Sequence, residues 1–245
     1  MHIEIKKYIL ILYMEQTKLS TPMAIVVAGA LIAGALYFSS LERPVIKEEV
    51  DNNPPAELTA LLENIRPVDE TDHIRGSLDA DIVIVEYSDT ECPFCQRFHF
   101  TMQSILEKYG DNIAWVYRHS PIDSLHPKAR KEAEALECAN ELGGNDLFWA
   151  YTDKLYEITP TNNGLDFAEL PKIAEYVGLD VSTFNKCLES GRWAARIQVD
   201  TENASAIGGG GTPWSVLIAK DGTKYPIQGA QPIEVISSII EKYLK

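Results

Sequence analysis

The order of apolar patterns along the chain predicts a mixed α/β domain. Residues 82–87 (IVIVEY) and 113–119 (IAWVYRH) are runs of β-branched and aromatic residues, which are typical of strands buried on both faces. Between them, residues 93–109 have helical spacing and are followed by Gly110. A strand, a helix and a second strand in this order predict a parallel pair joined by a right-handed crossover.

Helices dominate the next part of the chain. The spacing predicts helices over residues 128–142, 146–158, 166–177, 181–190 and 193–207. Two short strands follow at 215–219 and 225–228, with the turn signal Asp221-Gly222 between them, and a last helix at 232–244. We therefore predict one domain over residues 73–245, in the order β-α-β, helical insert (about 127–207), β-β-α.

The first 40 residues differ from the rest in charge and hydropathy. Residues 23–38 contain no charged side chain, and residues 21–41 are long enough to cross a bilayer. Residues 1–40 carry a net charge of +1, whereas the whole chain carries −14. This predicts a cytoplasmic N-terminus at 1–20, a transmembrane anchor at 21–41 and a linker at 42–72, with the domain outside the cytoplasm. The alternative is a cleaved secretory signal, because Ala33-Gly34-Ala35 fits a cleavage site, which gives a secreted or periplasmic protein.

Composition narrows the classes of function. The 22 Lys and Arg against 36 Asp and Glu argue against nucleic-acid binding, which needs a basic face. The spacing of the His and acidic residues shows no Ser/His/Asp triad and no metal cluster, so we expect no metal. We interpret His119 and His126 as solvated loop residues. The four cysteines are the most informative residues.

Cys92 and Cys95 lie directly after a predicted strand, at the start of a predicted helix. Free N–H groups at a helix N-terminus stabilise a thiolate, so we expect Cys92 to be a nucleophile with a lowered pKa. Cys95, one turn further in, is expected to resolve a mixed disulfide. Zinc would need a second such pair, and a c-type haem would need His in place of Gln96. The pair therefore predicts redox chemistry.

The segment VEYSDTECPFC, the helical insert and Gly211-Thr212-Pro213 before the next strand resemble the DsbA family of thioredoxin-fold oxidoreductases. The resemblance covers about residues 73–245 and is strongest to the membrane-anchored or exported bacterial branch. It implies a thioredoxin-like fold and a protein disulfide oxidoreductase. No cofactor is required, because the disulfide itself is the redox centre.

Carried over residue by residue, the resemblance assigns two sets of site residues. The catalytic set contains the cysteine pair and a buried acid that moves the proton of the resolving cysteine: Cys92, Cys95 and Glu86. The alternative for the acid is a solvent-facing position at a sheet edge. The substrate-binding set surrounds a cis-proline loop and the segment between the cysteines: Thr212, Pro213, Pro93 and Phe94.

Two departures from the family pattern concern the nucleophile. Phe94 stands where the strongest oxidant of the family has His, and Phe cannot donate a hydrogen bond to a thiolate. Asp89 and Glu91 precede Cys92, and like charge disfavours a thiolate. We therefore expect a lowered but less extreme Cys92 pKa and a milder oxidant.

The other two cysteines, Cys138 and Cys187, lie in predicted helices of the insert. In an exported domain they are expected to form a second disulfide that joins these helices, and some members of this family branch have such a bridge. The alternative is a pair of buried free thiols.

The expected function is the introduction of disulfides into unfolded or reduced exported proteins. The resemblance implies a membrane partner of the quinone-linked type that reoxidises the pair. We expect a membrane-anchored monomer. The alternatives are a disulfide reductase or isomerase of the same fold, and a peptide-binding or chaperone-like module without turnover.

Overall fold

A computed structural model describes residues 55–244 of the 245-residue chain. The predicted N-terminus at 1–20, the anchor at 21–41 and the first part of the predicted linker lie outside the described residues. Within residues 55–244, no helix is long and apolar enough to cross a membrane.

The described residues form five strands and seven α-helices. The strands are β1 (His73–Arg75), β2 (Ile82–Ser88), β3 (Ile113–His119), β4 (Trp214–Ala219) and β5 (Lys224–Gln228). The helices are α1 (Ala56–Leu62), α2 (Pro93–Tyr109), α3 (Ala129–Ile158), α4 (Leu170–Tyr176), α5 (Val181–Ser190), α6 (Ala194–Ala206) and α7 (Ile233–Tyr243).

The strands form one sheet in the order β1-β3-β2-β4-β5. The central strands β2 and β3 are parallel, with Ser88 opposite His119 at their carboxyl ends. Strand β4 is antiparallel to β2, and its first residue, Trp214, lies opposite Tyr87. Three loops therefore meet at one edge of the sheet: the loop into α2, the loop after β3 and the loop before β4.

Alternate residues of β2 enter two different cores, as the period of two in a strand requires. Ile82 and Ile84 face the larger core, which contains side chains of α2, α7 and the insert. Val85 and Tyr87 face a smaller core, which contains Leu62 of α1 and residues near β4. Helices cover both faces of the sheet, which is why β2 and β3 are apolar almost throughout.

The elements predicted from the sequence are present with small shifts in their ends, and the mixed α/β, thioredoxin-like class is confirmed. The predicted helices 128–142 and 146–158 form one element, α3, with a kink at Gly144. Gly144 has φ 72° and ψ −172°, a backbone conformation that glycine adopts without strain because it has no Cβ atom.

Two features were missed. The short strand β1 pairs with β3 as an antiparallel edge strand. Residues from 55 onward, which were predicted to be part of a linker, pack on the domain. Arg118 of β3 is fully buried, and its guanidinium contacts the Asp72 carboxylate at 2.8 Å and 2.9 Å. This buried ion pair, together with Leu62 in the smaller core, attaches the segment before β1 to the sheet.

Candidate active site

Cys92 is the N-cap residue of α2, at the point where the chain leaves β2. Its backbone is extended, with φ −80° and ψ 121°, and Pro93 occupies the first helical turn. The Cys92 carbonyl accepts the Gln96 N–H at 3.1 Å, which closes that turn. The sulfur therefore lies at a helix end whose free N–H groups and dipole stabilise an anion.

The two cysteines are free thiols in different environments. A hydrogen bond from the Cys95 thiol outweighs burial and lowers the pKa of Cys92 from 9.0 to about 6. Burial raises the pKa of the fully enclosed Cys95 thiol well above its ordinary value. At neutral pH the first sulfur is thus largely a thiolate and the second a thiol. This is the division expected for a nucleophile and a resolving cysteine.

The peptide bond between Thr212 and Pro213 is cis, as expected from the sequence. The Cys92 sulfur lies 3.4 Å from the Thr212 carbonyl oxygen. This closeness follows from the sheet register, because β4 begins beside the end of β2 and the loop before β4 must lie next to the loop into α2. Pro213 is buried and Thr212 is half-buried.

Glu86 is fully buried in β2, so the solvent-facing alternative is wrong. Its Oε2 accepts a hydrogen bond from the indole N–H of Trp115 at 2.9 Å. Burial raises the pKa of Glu86 from 4.5 to about 7, and hydrogen bonds from Ser88 and Trp115 limit that rise. The Glu86 charge also contributes to the raised pKa of Cys95. A carboxyl with this pKa changes protonation state at neutral pH, as a proton-transfer group must.

The remaining predicted substrate-binding residues lie at the surface beside the nucleophile. Pro93 is half-buried, and Phe94 is 53% exposed with the Arg97 guanidinium 5.2 Å from its ring centroid. A cleft of about 350 Å³ lies along the cis peptide bond. It is lined by Leu58, Gly208, Gly210, Gly211, Thr212, Pro213, Trp214, Gln228 and Gly229.

Cys138 and Cys187 form a disulfide that joins α3 to α5, with 5.8 Å between their Cα atoms. Both residues are buried. The structure thus contains the second bridge expected from the sequence, in the helical insert and away from the sheet edge that carries Cys92.

A family model described as thioredoxin matches residues 68–242. The chain belongs to the thioredoxin family. Among solved structures, this thioredoxin-fold protein resembles DsbA2 of Pseudomonas aeruginosa at 26% identity and a TM-score of 0.60, covering 74% of this chain and 100% of that one. It resembles oxidised BdbD of Bacillus subtilis at 20% identity and a TM-score of 0.63, covering 74% and 96%. These matches make it a DsbA-like thioredoxin-fold protein.

Curated relatives include longer proteins. A protein named Na(+)/H(+) antiporter NhaA 1 from Mycolicibacterium gilvum is 34% identical over 155 residues, which are 62% of this chain and 24% of that protein. An NhaA 3 from Salinispora tropica is 36% identical over 152 residues, 60% of this chain and 22% of that protein. The matched part of the DsbA-like chain thus spans about a quarter of the length of these relatives.

Asp89 and His126 also lie at the candidate site, although their positions in the sequence did not predict it. The Asp89 Oδ2 accepts the Ile122 N–H at 2.7 Å and lies 2.9 Å from Nδ1 of His126, while Oδ1 accepts the Glu91 N–H at 2.9 Å. Asp89 therefore fixes the loop into α2 against the loop after β3. The expectation of a solvated His126 is wrong, because only 7% of the residue is exposed.

His119 is buried as well, in a cluster with His73 and Glu137 that the sequence did not reveal because each lies on a different element. The Nε2 atoms of His73 and His119 lie 2.9 Å and 3.1 Å from Oε1 of Glu137. Burial alone raises the Glu137 pKa, but these hydrogen bonds outweigh it and bring the pKa well below its usual range.

The three side chains offer potential metal ligands within 4.8 Å of one another. A metal-bound histidine usually donates its second ring N–H to an acceptor. Nδ1 of His119 is buried and has no hydrogen-bond partner among the described residues. The arrangement therefore fits two imidazole N–H donors on one carboxylate better than it fits a metal ion.

Proposed function

We propose that this protein is a thiol–disulfide oxidoreductase that introduces disulfides into exported proteins. The observation that supports it most strongly is the different placement of the two thiols, since Cys92 is the N-cap residue of α2 and Cys95 is fully buried one turn further in. The pKa of Cys92 is accordingly lowered and that of Cys95 raised. A reduced pair in which one thiolate is already stable favours release of the substrate and retention of the electrons.

The proposed reaction starts from a Cys92–Cys95 disulfide. A substrate thiolate attacks the Cys92 sulfur, which forms a mixed disulfide and breaks the bond to Cys95. The departing Cys95 sulfur takes up a proton, because its pKa is far above neutral. Glu86 is proposed to supply that proton, because its charge affects the Cys95 pKa and its own pKa is about 7. A second substrate thiolate then attacks the substrate sulfur, and Cys92 leaves as a thiolate. Two electrons pass from the substrate dithiol to the enzyme pair.

In this proposal the substrate backbone lies along the cleft beside the cis peptide bond. The Thr212 carbonyl is 3.4 Å from the Cys92 sulfur and pairs with the substrate as an added strand would. The exposed ring of Phe94 contacts substrate side chains on the other side of the nucleophile. The backbone contact is independent of substrate sequence, as an enzyme for many unfolded proteins requires.

We further propose that the domain is anchored to the membrane and lies outside the cytoplasm, as a monomer. Support comes from the Cys138–Cys187 disulfide, since such bridges persist in oxidising compartments. The reduced pair is proposed to be reoxidised by a quinone-linked membrane partner, which accepts the two electrons. Protection of the domain from protease added to spheroplasts, whose outer envelope has been removed, with cleavage only after lysis, would contradict the location.

The test of the activity is oxidation of a reduced, unfolded protein that regains its own activity only when its disulfides form. The oxidised wild type is expected to restore that activity stoichiometrically in the absence of other oxidants, and Cys92→Ala is expected to restore none. Restoration by neither protein, with equal suppression of substrate aggregation by both, would favour the alternative of a chaperone-like module without turnover.

The reduction potential separates an oxidase from a reductase or isomerase. With a stable Cys92 thiolate, we expect a value above that of thioredoxin, which is about −270 mV, and below that of DsbA, which is about −120 mV. Equilibration with glutathione buffers of known ratio measures it. A value at or below about −270 mV would contradict the oxidase.

A further inference from the structure

Two carboxyl side chains are buried together beside the nucleophile and have no part in the proposed reaction. Glu91 directly precedes Cys92, and Glu132 lies in the first turn of α3. Neither residue has any exposed surface. Their side chains interact with each other, so they join the loop into α2 to the helical insert.

The hydrogen bonds around these carboxyl groups are too few for two anions. Oε2 of Glu91 accepts the backbone N–H of Asn163. Oε1 of Glu91 and both oxygens of Glu132 are buried without a donor from the described residues, and the neighbouring Thr90 hydroxyl donates to the Ala129 carbonyl. Two buried carboxylates in contact repel each other, and desolvation disfavours both charges. One proton between them removes a charge and supplies a donor.

Glu91 also binds a conformationally strained segment of the insert. Thr161, Asn162 and Asn163 have φ values of 60°, 52° and 65°, in the left-handed region that non-glycine residues rarely adopt. The carbonyl of Glu91 accepts the Asn162 N–H at 2.7 Å, and its carboxylate accepts the next N–H along the chain. Successive N–H groups in such a segment form a concave site for an anion. Here the Glu91 carboxyl group occupies that site.

We propose that Glu91 and Glu132 form a carboxyl pair that shares one proton, and that this pair is a positioning element for Cys92. Glu91 attaches the residue before Cys92 to the insert through the Asn162 and Asn163 N–H groups, and the shared proton keeps the charge of the pair at one rather than two. The functional part of this inference rests on the proposed thiol–disulfide exchange at Cys92.

The surroundings of Glu132 agree with a retained proton. Burial, followed by the hydrogen bond and charge of Glu91, raises the pKa of Glu132 to about 9, against a smaller opposite effect of Thr90. The other titratable groups facing it are Asp89 of the same loop and Tyr151 of its own helix. Asp89 differs from Glu91, because its two oxygens already accept hydrogen bonds from backbone N–H groups and contact His126.

Infrared spectroscopy tests the shared proton directly. We expect the difference spectrum of wild type minus Glu132→Gln to contain the carbonyl stretch of a protonated carboxylic acid at pH 7, which falls to about half its intensity near pH 9. Glu157→Gln serves as the control, since this carboxyl lies near the end of the same helix with 62% of its side chain exposed. Its difference spectrum at pH 7 should show only an ionised carboxylate. Absence of the protonated band from the Glu132 difference spectrum would overturn the proposal.

The effect on the nucleophile is measured by thiolate absorbance of the reduced protein against pH. Glu132→Gln replaces one neutral group by another and is expected to leave the Cys92 midpoint unchanged. Glu91→Gln removes the charge and is expected to lower the midpoint by about 0.5 to 1 pH unit. Equal shifts in the two variants, or no shift in Glu91→Gln, would overturn the positioning role.

These measurements need no substrate, so they separate the two proposals. If the infrared band and the midpoint shift are present but the protein does not oxidise a substrate, the function is wrong and the carboxyl pair stands. If Glu91→Gln fails to fold, the infrared result for Glu132→Gln still decides whether the pair holds a proton.

Discussion

The molecule contains two pairs of cysteines, both buried, with opposite surroundings. Cys92 and Cys95 lie where a strand meets a helix, next to a backbone carbonyl and the acid Glu86. Cys138 and Cys187 lie between two helices of the insert, in the larger core. The first pair occurs as free thiols and the second as a disulfide. Burial alone therefore does not determine cysteine chemistry, whereas the groups around the sulfur do.

The largest effect is expected from replacing the nucleophile. Cys92→Ser substitutes a hydroxyl that cannot form a disulfide with Cys95, so thiol–disulfide exchange should fall to background, a loss of roughly 10³-fold or more. The measurement is the rate of oxidation of a dithiol peptide by the preoxidised protein. Turnover of Cys92→Ser above background would show that the active pair is wrongly assigned.

The double variant Cys138→Ala, Cys187→Ala is expected to lose stability and to keep its exchange rate, the opposite of the result for Cys92→Ser. Opening a loop of 49 residues is expected to lower the free energy of unfolding by about 4 kcal/mol in the loop-entropy model. Denaturant titration measures this loss, and the exchange rate of the folded fraction should equal that of the wild type. A reduced exchange rate in the folded double variant would mean that the second pair takes part in the chemistry.

Much of this contrast was predictable from local patterns. The strand before Cys92 and the helix after it were evident from apolar periodicity, and a Pro in the first helical turn is a common feature of helix starts. The fold then brings the Thr212–Pro213 peptide to the nucleophile, because the loop before β4 begins at the same sheet edge. That consequence follows once the strand order is known.

The rest depends on pairings between residues distant in the sequence, which periodicity does not encode. His126 was expected in solvent and instead contacts Asp89, 37 positions away. Glu132 of the insert interacts with Glu91 of the loop into α2, and Arg118 pairs with Asp72, 46 positions away. Each contact is polar and buried, so a pattern of apolar residues shows nothing of the pairing.

Glu86→Gln is expected to have an intermediate effect. The amide does not exchange protons, so protonation of the departing Cys95 should slow by about 10²-fold at neutral pH. In the wild type this step should lose rate as pH rises through about 7, where Glu86 gives up its proton, and the variant should lack that inflection. Stopped-flow measurement of the exchange rate from pH 5 to 9 checks both statements. An unchanged inflection would assign it to another group.

Glu86→Gln is also expected to change how the free energy of unfolding depends on pH. The folded-state pKa of Glu86 lies above its ordinary value of 4.5, so between about pH 4.5 and 7 the folded state binds more protons than the unfolded state. Glu86 therefore makes stability fall as pH rises across that range, by up to about 3 kcal/mol in total. Glu86→Gln should flatten this part of the curve. Denaturation midpoints at pH 4.5 and 7 provide the comparison.

The smallest expected effect comes from Phe94, the exposed residue between the active cysteines. Its ring offers the Cys92 thiolate neither a charge nor a hydrogen bond. Phe94→His places a group there that is partly protonated near pH 6, and a cation beside a thiolate lowers the thiol pKa. Because the position is 53% exposed, solvent should limit the shift to about half a pH unit to one unit.

Titration of the thiolate absorbance measures that shift, and Phe94→Leu is the matched control because it changes the shape of the side chain without adding a charge. The histidine variant should also have a higher reduction potential, since its reduced form gains a stabilised thiolate. An equal shift in the leucine variant would mean that removal of the ring, and not the new charge, changes the thiol. The contrast between the two cysteine pairs would then depend on packing around the sulfur as much as on electrostatics.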